Sequence, residues 1–174
     1  VQSAAIGSHT FIAYSTSPNA TTDGNNGNDT TKTTFSILGI GQSLPLTEGF
    51  EAVTFPPTGF SLYNPDVSLT WARTTAAAKT GVASARMDNY NYSSGAGQRD
   101  EIILPSLDLT TVLSPLMTFD VAYKLYTNPS TMPNYSDTLE VLISTDCGVT
   151  YSSIYKKAGL ALTTTTPNWA NSAF

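Results

Sequence analysis

The sequence predicts an all-β protein whose main part is an antiparallel β-sandwich. Seven or more short segments of alternating polarity are separated by turn signals about every 8–15 residues, which indicates a sandwich and not a βαβ fold. Charged residues make up only 12% of the chain, while Thr, Ser, Asn, Gly and Pro are abundant, as is typical of turn-rich extracellular β-proteins. A hairpin pattern over residues 137–155 is the clearest single element.

The first predicted element is an N-terminal β-hairpin arm. Residues 7–16 and 31–38 alternate as strands, and residues 18–30 form a polar loop between them. This loop is rich in Asn, Asp and Gly but lacks the bidentate Glu of an EF-hand, so a turn is favoured over a calcium loop. The arm, residues 1–38, resembles the C-terminal hairpin of an immunoglobulin-like repeat. The alternative is that it pairs with the domain that follows.

Residues 39–43 read as a linker, and the main module begins at residue 44. Adjacent prolines at 56 and 57 exclude a helix there, since proline removes a backbone donor and fixes φ. Short strands are predicted at residues 61–64, 69–73, 83–92 and 98–104. Residues 115–125 carry the strongest core-strand pattern of the module, and a loop rich in proline and asparagine, residues 128–135, follows them.

The predicted hairpin at residues 137–155 has a strand on each side of a tight turn. Leu139, Val141 and Ile143 alternate with more polar residues, which is the period of a strand with one buried face. Asp146 bonds backbone N–H groups further along, and Gly148 tolerates the positive φ of a reversal. The turn also resembles the Asp-box hairpin of secreted β-proteins, a structural likeness that implies no reaction.

Composition and charge limit the function classes. The net charge is −5 and the eight cationic residues are scattered, so we expect no nucleic-acid partner. No apolar run reaches the roughly 18 residues of a membrane helix, so we expect no membrane insertion. The single Cys147 excludes an internal disulfide, and we expect it to be structural.

An ordered series of motifs gives the main module a family resemblance. From residue 44 to residue 174 the chain resembles the MAM-like jelly-roll module, which is related to the cleaved-adhesin domains of secreted Bacteroidetes proteins. The motifs lie at residues 44–51, 55–60, 64–66, 70–71, 81–84, 100–105, 116–123 and 137–148. Proteins of this kind are exported by the type IX route, and some are zinc metalloproteases. The resemblance implies a jelly roll that is truncated at its C-terminus, since family members continue with further strands.

We expect no enzyme activity from this chain. It contains one histidine, His9, and no His-Glu-x-x-His, Gly-x-Ser-x-Gly or P-loop motif. Ser153 and Lys156 have Ser-x-x-Lys spacing, but residues three apart on a strand face opposite sides. The scattered carboxylates are interpreted as solvated surface groups.

Calcium is the expected cofactor, in a structural role. In the modules that the chain resembles, a Glu of the entry segment shares an ion with the closing strand. This resemblance implies Glu48 or Glu51 as ligands, together with Asp66 and Asp100. The alternative is that Glu48 and Glu51 bond backbone donors at the edge of the sandwich.

Glycan contacts are expected from exposed aromatic residues. Tyr90 and Tyr92, next to a Ser/Gly-rich stretch, are the candidate ligand-binding residues, because amphipathic rings in a loop are natural contact groups. Thr30 and Thr138 fit loosely the Asp-Ser/Thr-apolar pattern of Bacteroidetes O-glycosylation, so both are candidate glycosylation sites. Threonine in strands needs no such explanation.

The expected function is that of a non-catalytic module of a larger secreted or cell-surface protein. Its work would be adhesion, or tethering of a substrate or glycan, where weak contacts gain strength by being linked to other modules. The expected partners are other domains of the parent protein and glycans or extracellular proteins. The alternatives are an accessory domain that stabilises a secreted zinc metalloprotease and a structural spacer.

Overall fold

The fold was examined in a computed structural model, which describes residue 5, residues 7–16, 20–25, 27–37, 39, 41–92, 97–131 and 135–170. Within these ranges the chain is all-β and has no α-helix. Eight strands form four two-stranded antiparallel sheets. None of the described helices could cross a membrane.

The N-terminal arm has the predicted hairpin geometry. Strand β1 is Gly7–Tyr14 and strand β2 is Thr30–Ile37, paired from Gly7 opposite Ile37 to Tyr14 opposite Thr30. The connecting loop is closed by its own side chains: Asp23 accepts from the N–H of Asn25 at 2.8 Å, and Asn25 accepts from that of Gly27 at 3.2 Å. These Asx turns agree with a turn-forming role for the loop.

Two short sheets follow in the main module. Strand β3, Ser61–Tyr63, pairs with β6, Glu101–Ile103, and strand β4, Ala72–Thr74, pairs with β5, Ser84–Arg86. All four strands have only three residues, so each is shorter than its predicted segment. Polar turns end them, because side chains such as those of Asp66 and Asp88 bond nearby groups instead of extending a ladder.

The central hairpin is confirmed. Strand β7, Thr138–Ile143, pairs with strand β8, Ser152–Ala158, and a register shift leaves Ile154 as a bulge. A short 3-10 helix, Gly159–Leu162, continues from β8 and places Leu162 in the core. Asp146 closes the turn by accepting from the N–H of Thr150 at 2.8 Å, while Gly148 has a φ of 83°.

The predicted core strand at residues 115–125 is wrong for most of its length. Residues 115–124 belong to no strand, and residues 113–120 are exposed. Among the described residues, backbone hydrogen bonds reach only the end of the segment: Leu125 is buried and forms an isolated parallel bridge with Trp169. The apolar alternation is present in the sequence, but no described strand pairs with residues 115–122, so the alternation alone does not bury them.

Within the predicted linker, the backbone of residues 41 and 42 lies close to that of residues 106–108. Gln42 donates its N–H to the carbonyl of Ser106 at 2.7 Å, and its own carbonyl accepts from the N–H of Asp108 at 2.9 Å. A Cβ on Gly41 would lie 2.3 Å from the carbonyl carbon of Leu107, so only glycine fits at this position. Residues 41 and 42 are therefore docked on residues 106–108.

The core is small. The buried residues of the described chain are Pro57, Ala83, Leu125 and Leu162. The solvent-accessible surface is 12850 Å², against roughly 8200 Å² expected for a compact monomer of this mass. No Cα of one sheet lies within 8 Å of a Cα of another among the described strands, so the sheets are not joined edge to edge. The jelly-roll sandwich stays a prediction.

Candidate functional site

The end of the β3–β6 ladder gathers two of the four predicted calcium ligands. Tyr63 is opposite Glu101 in this ladder, so Asn64 and Asp100 are the next positions at the same end of the two strands. Tyr92 donates its hydroxyl to the Oδ2 of Asp66 at 2.5 Å, and Asp100 also lies close enough to act on that hydroxyl. We call Asn64, Asp66, Tyr92 and Asp100 the Asp66–Asp100 cluster.

Local hydrogen bonds fix the loop that carries Asp66. The side-chain amide of Asn64 donates to the carbonyl of Ser68 at 2.9 Å, and the Oδ1 of Asp66 accepts from the N–H of Ser68 at 3.1 Å. On the other side, the indole of Trp71 donates to the carbonyl of Asp100 at 3.0 Å. Both acidic residues are thus placed by the backbone around them.

Three oxygen atoms in this region are buried without a hydrogen-bond partner. They are the Oδ1 of Asn64, the Oδ1 of Asp100 and the Oγ1 of Thr70, the residue before Trp71. A buried oxygen without a donor is costly, by roughly 1–3 kcal/mol for a neutral group. A cation would satisfy such oxygens, since hard cations bind carboxylate and amide oxygens.

Negative charge is concentrated in the cluster, because the carboxylates of Asp66 and Asp100 both lie close to Tyr92. The pKa of Tyr92 is raised, first because its hydroxyl donates to the Asp66 carboxylate, then by burial and by the charge of Asp100. Tyr92 is therefore a neutral donor at physiological pH. Within the described ranges, no three His, Cys, Asp or Glu side chains form a metal-holding group, so any ion here would depend on neutral oxygens as well.

The other two predicted ligands, Glu48 and Glu51, accept hydrogen bonds from backbone N–H groups. Glu48 accepts from the N–H of Phe50, and the Glu51 carboxylate accepts from the N–H groups of Val82 and Ala83 at 3.1–3.2 Å. Gly81 has a φ of 68°, and a Cβ there would lie 2.2 Å from the Oε1 of Glu51. This arrangement matches the alternative interpretation of the two glutamates.

A second feature is an exposed face of three tyrosines. The rings of Tyr90 and Tyr126 have centroids 5.5 Å apart, and those of Tyr126 and Tyr135 are 6.0 Å apart, both in edge contact. The exposed fractions are 45%, 41% and 53% for Tyr90, Tyr126 and Tyr135. We call these three residues the tyrosine face.

Polar groups lie beside the tyrosine face. Asp88 accepts from the guanidinium of Arg86 at 3.0 Å and from the amide of Asn91 at 2.9 Å, so the turn that carries Tyr90 is held in place. Tyr92, the other predicted glycan contact, points instead to Asp66. Residues 93–96, part of the Ser/Gly-rich stretch next to it, lie outside the described residues.

The remaining predicted positions are surface residues. Thr30 opens β2 opposite Tyr14, and Thr138 opens β7 opposite Ala158; both are exposed. His9 stacks on Phe35 with ring centroids 5.6 Å apart. Cys147 is exposed in the Asp146 turn.

Sequence reasoning missed Tyr126 and Tyr135 as members of one surface. Tyr126 precedes a loop rich in proline and asparagine, residues 128–135, and Tyr135 ends it; this loop was the available signal that their rings stay outside the core. It also missed Arg73, whose guanidinium donates to the carbonyls of Phe50 and Glu51 at 2.8 and 3.1 Å. Nothing in the sequence spacing pairs Arg73 with residues more than 20 positions away.

Comparison of the chain with protein-family models, curated proteins and solved structures found no match to any of them.

Proposed function

We propose that the chain is a non-catalytic binding module that tethers glycans through the tyrosine face. The observation that carries the proposal is the grouping of three half-exposed tyrosines from separate parts of the chain, residues 90, 126 and 135. A contiguous patch of exposed rings is typical of an interaction site, and the amphipathic rims of tyrosine rings suit a partner that is both apolar and hydroxylated. A sugar ring has such a surface.

The geometry of the face favours an extended ligand over a small enclosed one. Neighbouring rings contact each other edge to face, at interplanar angles of 66° and 68°, so no single flat platform forms. Successive rings would instead meet successive units of a chain. Each contact is weak, and a tethering module gains useful strength when several contacts or several modules act together.

The wider setting belongs to the same proposal. The module would be a MAM-like, cleaved-adhesin-like jelly roll within a larger secreted or cell-surface protein that is exported by the type IX route. Thr30 and Thr138 would carry O-glycans. The all-β architecture and its turn-rich composition support this setting. The alternative function is an accessory domain of a secreted zinc metalloprotease, and a spacer role is the third.

Calcium at the Asp66–Asp100 cluster is the second part of the proposal. The unpartnered Oδ1 atoms of Asn64 and Asp100 support it, because buried oxygens call for a positive partner. With Asp66 they supply fewer than the roughly six to eight oxygens that calcium takes, so backbone carbonyls or water would complete the shell. Glu48 and Glu51 are left out of this version of the site, since their carboxylates accept from Phe50, Val82 and Ala83, which lie outside the cluster.

The glycan proposal is tested by comparing single tyrosine variants on immobilised polysaccharides. We expect Tyr126→Ala to weaken binding most, by about tenfold, because its ring contacts both neighbours in the face. Its loss removes one ligand contact and also the two ring contacts, each of about 0.5–1.5 kcal/mol, that hold the face together. Tyr90→Ala and Tyr135→Ala should weaken it less. Tyr14→Ala is the matched control, since Tyr14 is 72% exposed but lies on the arm.

The result separates the candidate functions. Equal binding by Tyr126→Ala and Tyr14→Ala would exclude the tyrosine face as the glycan site. The accessory role predicts a different result. Deletion of residues 44–174 from the parent protein would lower protease stability without changing glycan binding. If neither assay responds, the spacer role is left.

A further inference from the structure

Residues 113–122 form an apolar segment that the described chain leaves unpaired. No backbone N–H or C=O in this segment is hydrogen-bonded to any described residue. Leu113 and Leu116 are 101% and 85% exposed, and Met117 and Phe119 are 49% and 42% exposed. Its sequence nevertheless has strand character, with Phe119, Val121 and Thr118 among residues that favour strands.

Two contacts hold the segment without covering it, one with the central hairpin and one with the connection between β4 and β5. The ring of Phe119 meets that of Tyr155 on β8 edge to face, with centroids 5.1 Å apart. Asp120 lies 3.9 Å from the ammonium of Lys79, and both side chains are about two-thirds exposed. The backbone of the segment is therefore positioned but open, which is the state that invites pairing with another strand.

We propose that the segment of residues 115–122 pairs antiparallel with the same segment of a second copy of this chain, with residues 116–122 directly opposite one another. Pairing about a two-fold axis at Phe119 places Met117 opposite Val121, Leu116 opposite Ala122 and Thr118 opposite Asp120. Apolar residues then meet apolar residues, and the carboxylate meets a hydroxyl. Such cross-strand pairs each contribute roughly 0.2–1 kcal/mol.

Neighbouring registers are less favourable. An axis at Asp120 sets two carboxylates directly opposite each other, which is destabilising. An axis at Thr118 sets Asp120 opposite Leu116 and leaves the charge against an apolar chain. The segment is thus self-complementary in one register, as a symmetric interface requires.

The chain as a whole has more exposed surface than a compact monomer. The chain exposes about 4600 Å² more surface than a compact monomer of its mass, while a standard interface needs about 800 Å² from each partner. Each copy carries a net charge of −5, so repulsion opposes association and screening by salt should strengthen it.

The test is sedimentation equilibrium of the full chain, with amide exchange measured at low and high protein concentration. We expect a monomer–dimer equilibrium that tightens with salt, and protection of residues 115–122 that rises with concentration. Met117→Lys should weaken dimerisation by about tenfold or more, because it places a charge opposite Val121. Leu113→Lys is the matched control: it makes the same charge change on a fully exposed leucine outside the pair and should leave the dimer intact.

Three results would overturn the proposal. One is a chain that stays monomeric at all concentrations with residues 115–122 exchanging freely. Another is equal weakening by Met117→Lys and Leu113→Lys, which indicates general apolar association. The third is protection of residues 115–122 in the monomer, which means that another part of this chain already covers them.

Discussion

At the scale of single residues, Asp100 has a structural hydrogen bond on its backbone and an unpartnered oxygen on its side chain. Its carbonyl accepts from the indole of Trp71, which is a structural bond, while its Oδ1 is buried and has no partner. Asp66 differs, because both of its carboxylate oxygens already accept hydrogen bonds. Asp100 is therefore the residue on which the calcium proposal depends most.

We predict that calcium raises the melting temperature of the chain and that Asp100→Asn abolishes this rise. The amide removes the charge but keeps the shape, and it leaves the carbonyl that binds Trp71 in place. Differential scanning fluorimetry in excess calcium and in chelator measures the effect, and calorimetric titration measures the affinity. Asp66→Asn should reduce the affinity as well.

Asp120→Asn is the matched control for this prediction, because Asp120 is exposed and lies on the open segment outside the cluster. It makes the same charge change and should leave the calcium response as it is in the unmodified chain. An unmodified chain whose melting temperature is the same in calcium and in chelator would rule out the site.

The residues of the candidate sites could be predicted only in part. Asp66, Asp100 and Tyr90 were chosen by residue type, and the structure places each of them in a cluster. Their partners could not be predicted, because the sequence does not specify the register of β3 on β6. This register places Asn64 and Asp100 at the same end of the ladder. Tyr92 was expected to face a glycan, and it donates to Asp66 instead.

At the scale of elements, the β7–β8 hairpin depends on the charge of Asp146. Its pKa is lowered to about 2, first by the hydroxyl of Thr150, then by the N–H of Thr150 and the hydroxyl of Ser144. A carboxyl with a lowered folded pKa stabilises the fold above its unfolded pKa of about 3.9. This stabilisation is lost as the pH falls from about 4 to about 2.

We predict that amide protection of β7 and β8 falls between pH 4 and pH 2, and that Asp146→Asn removes part of this dependence. The pKa of Glu140 on β7 is also lowered, first by Ser153 and then by Lys156, so it supplies the remaining part. Hydrogen exchange at pH 5 and at pH 2.5, corrected for the intrinsic rate, measures the loss. Asp108→Asn is the control: the pKa of Asp108 is lowered by Thr110, but it lies outside the hairpin.

The contrast between two elements shows where sequence reasoning succeeds. The β7–β8 hairpin was predicted because its period, its Asp and its Gly all act within a few residues of one another. The segment at residues 115–125 has an equally clear period, yet among the described residues it has no strand partner before Tyr123, and residues 115–120 are exposed. Periodicity predicts which face of a strand can be buried, but it does not say whether a partner is present.

At the scale of the whole molecule, the four described sheets do not pair with one another. All-β architecture followed from composition and turn spacing, whereas the arrangement of the sheets depends on contacts between distant residues. The arm is the extreme case. Phe11 and Ile12 point to opposite faces of β1, and they are 56% and 49% exposed, so neither face is covered.

We therefore predict that the arm unfolds before the rest of the chain, because a two-stranded hairpin with both faces exposed is marginally stable in water. All four buried residues of the described chain lie in the main module instead. The only histidine, His9, reports on the arm through its proton resonance, and the two tryptophans, Trp71 and Trp169, report on the main module by fluorescence. In urea the His9 transition should come at lower concentration. Phe35→Ala removes the ring on which His9 stacks and should shift the His9 transition alone. Coincident transitions would instead show that arm and module fold as one cooperative unit, with surfaces that protect each other.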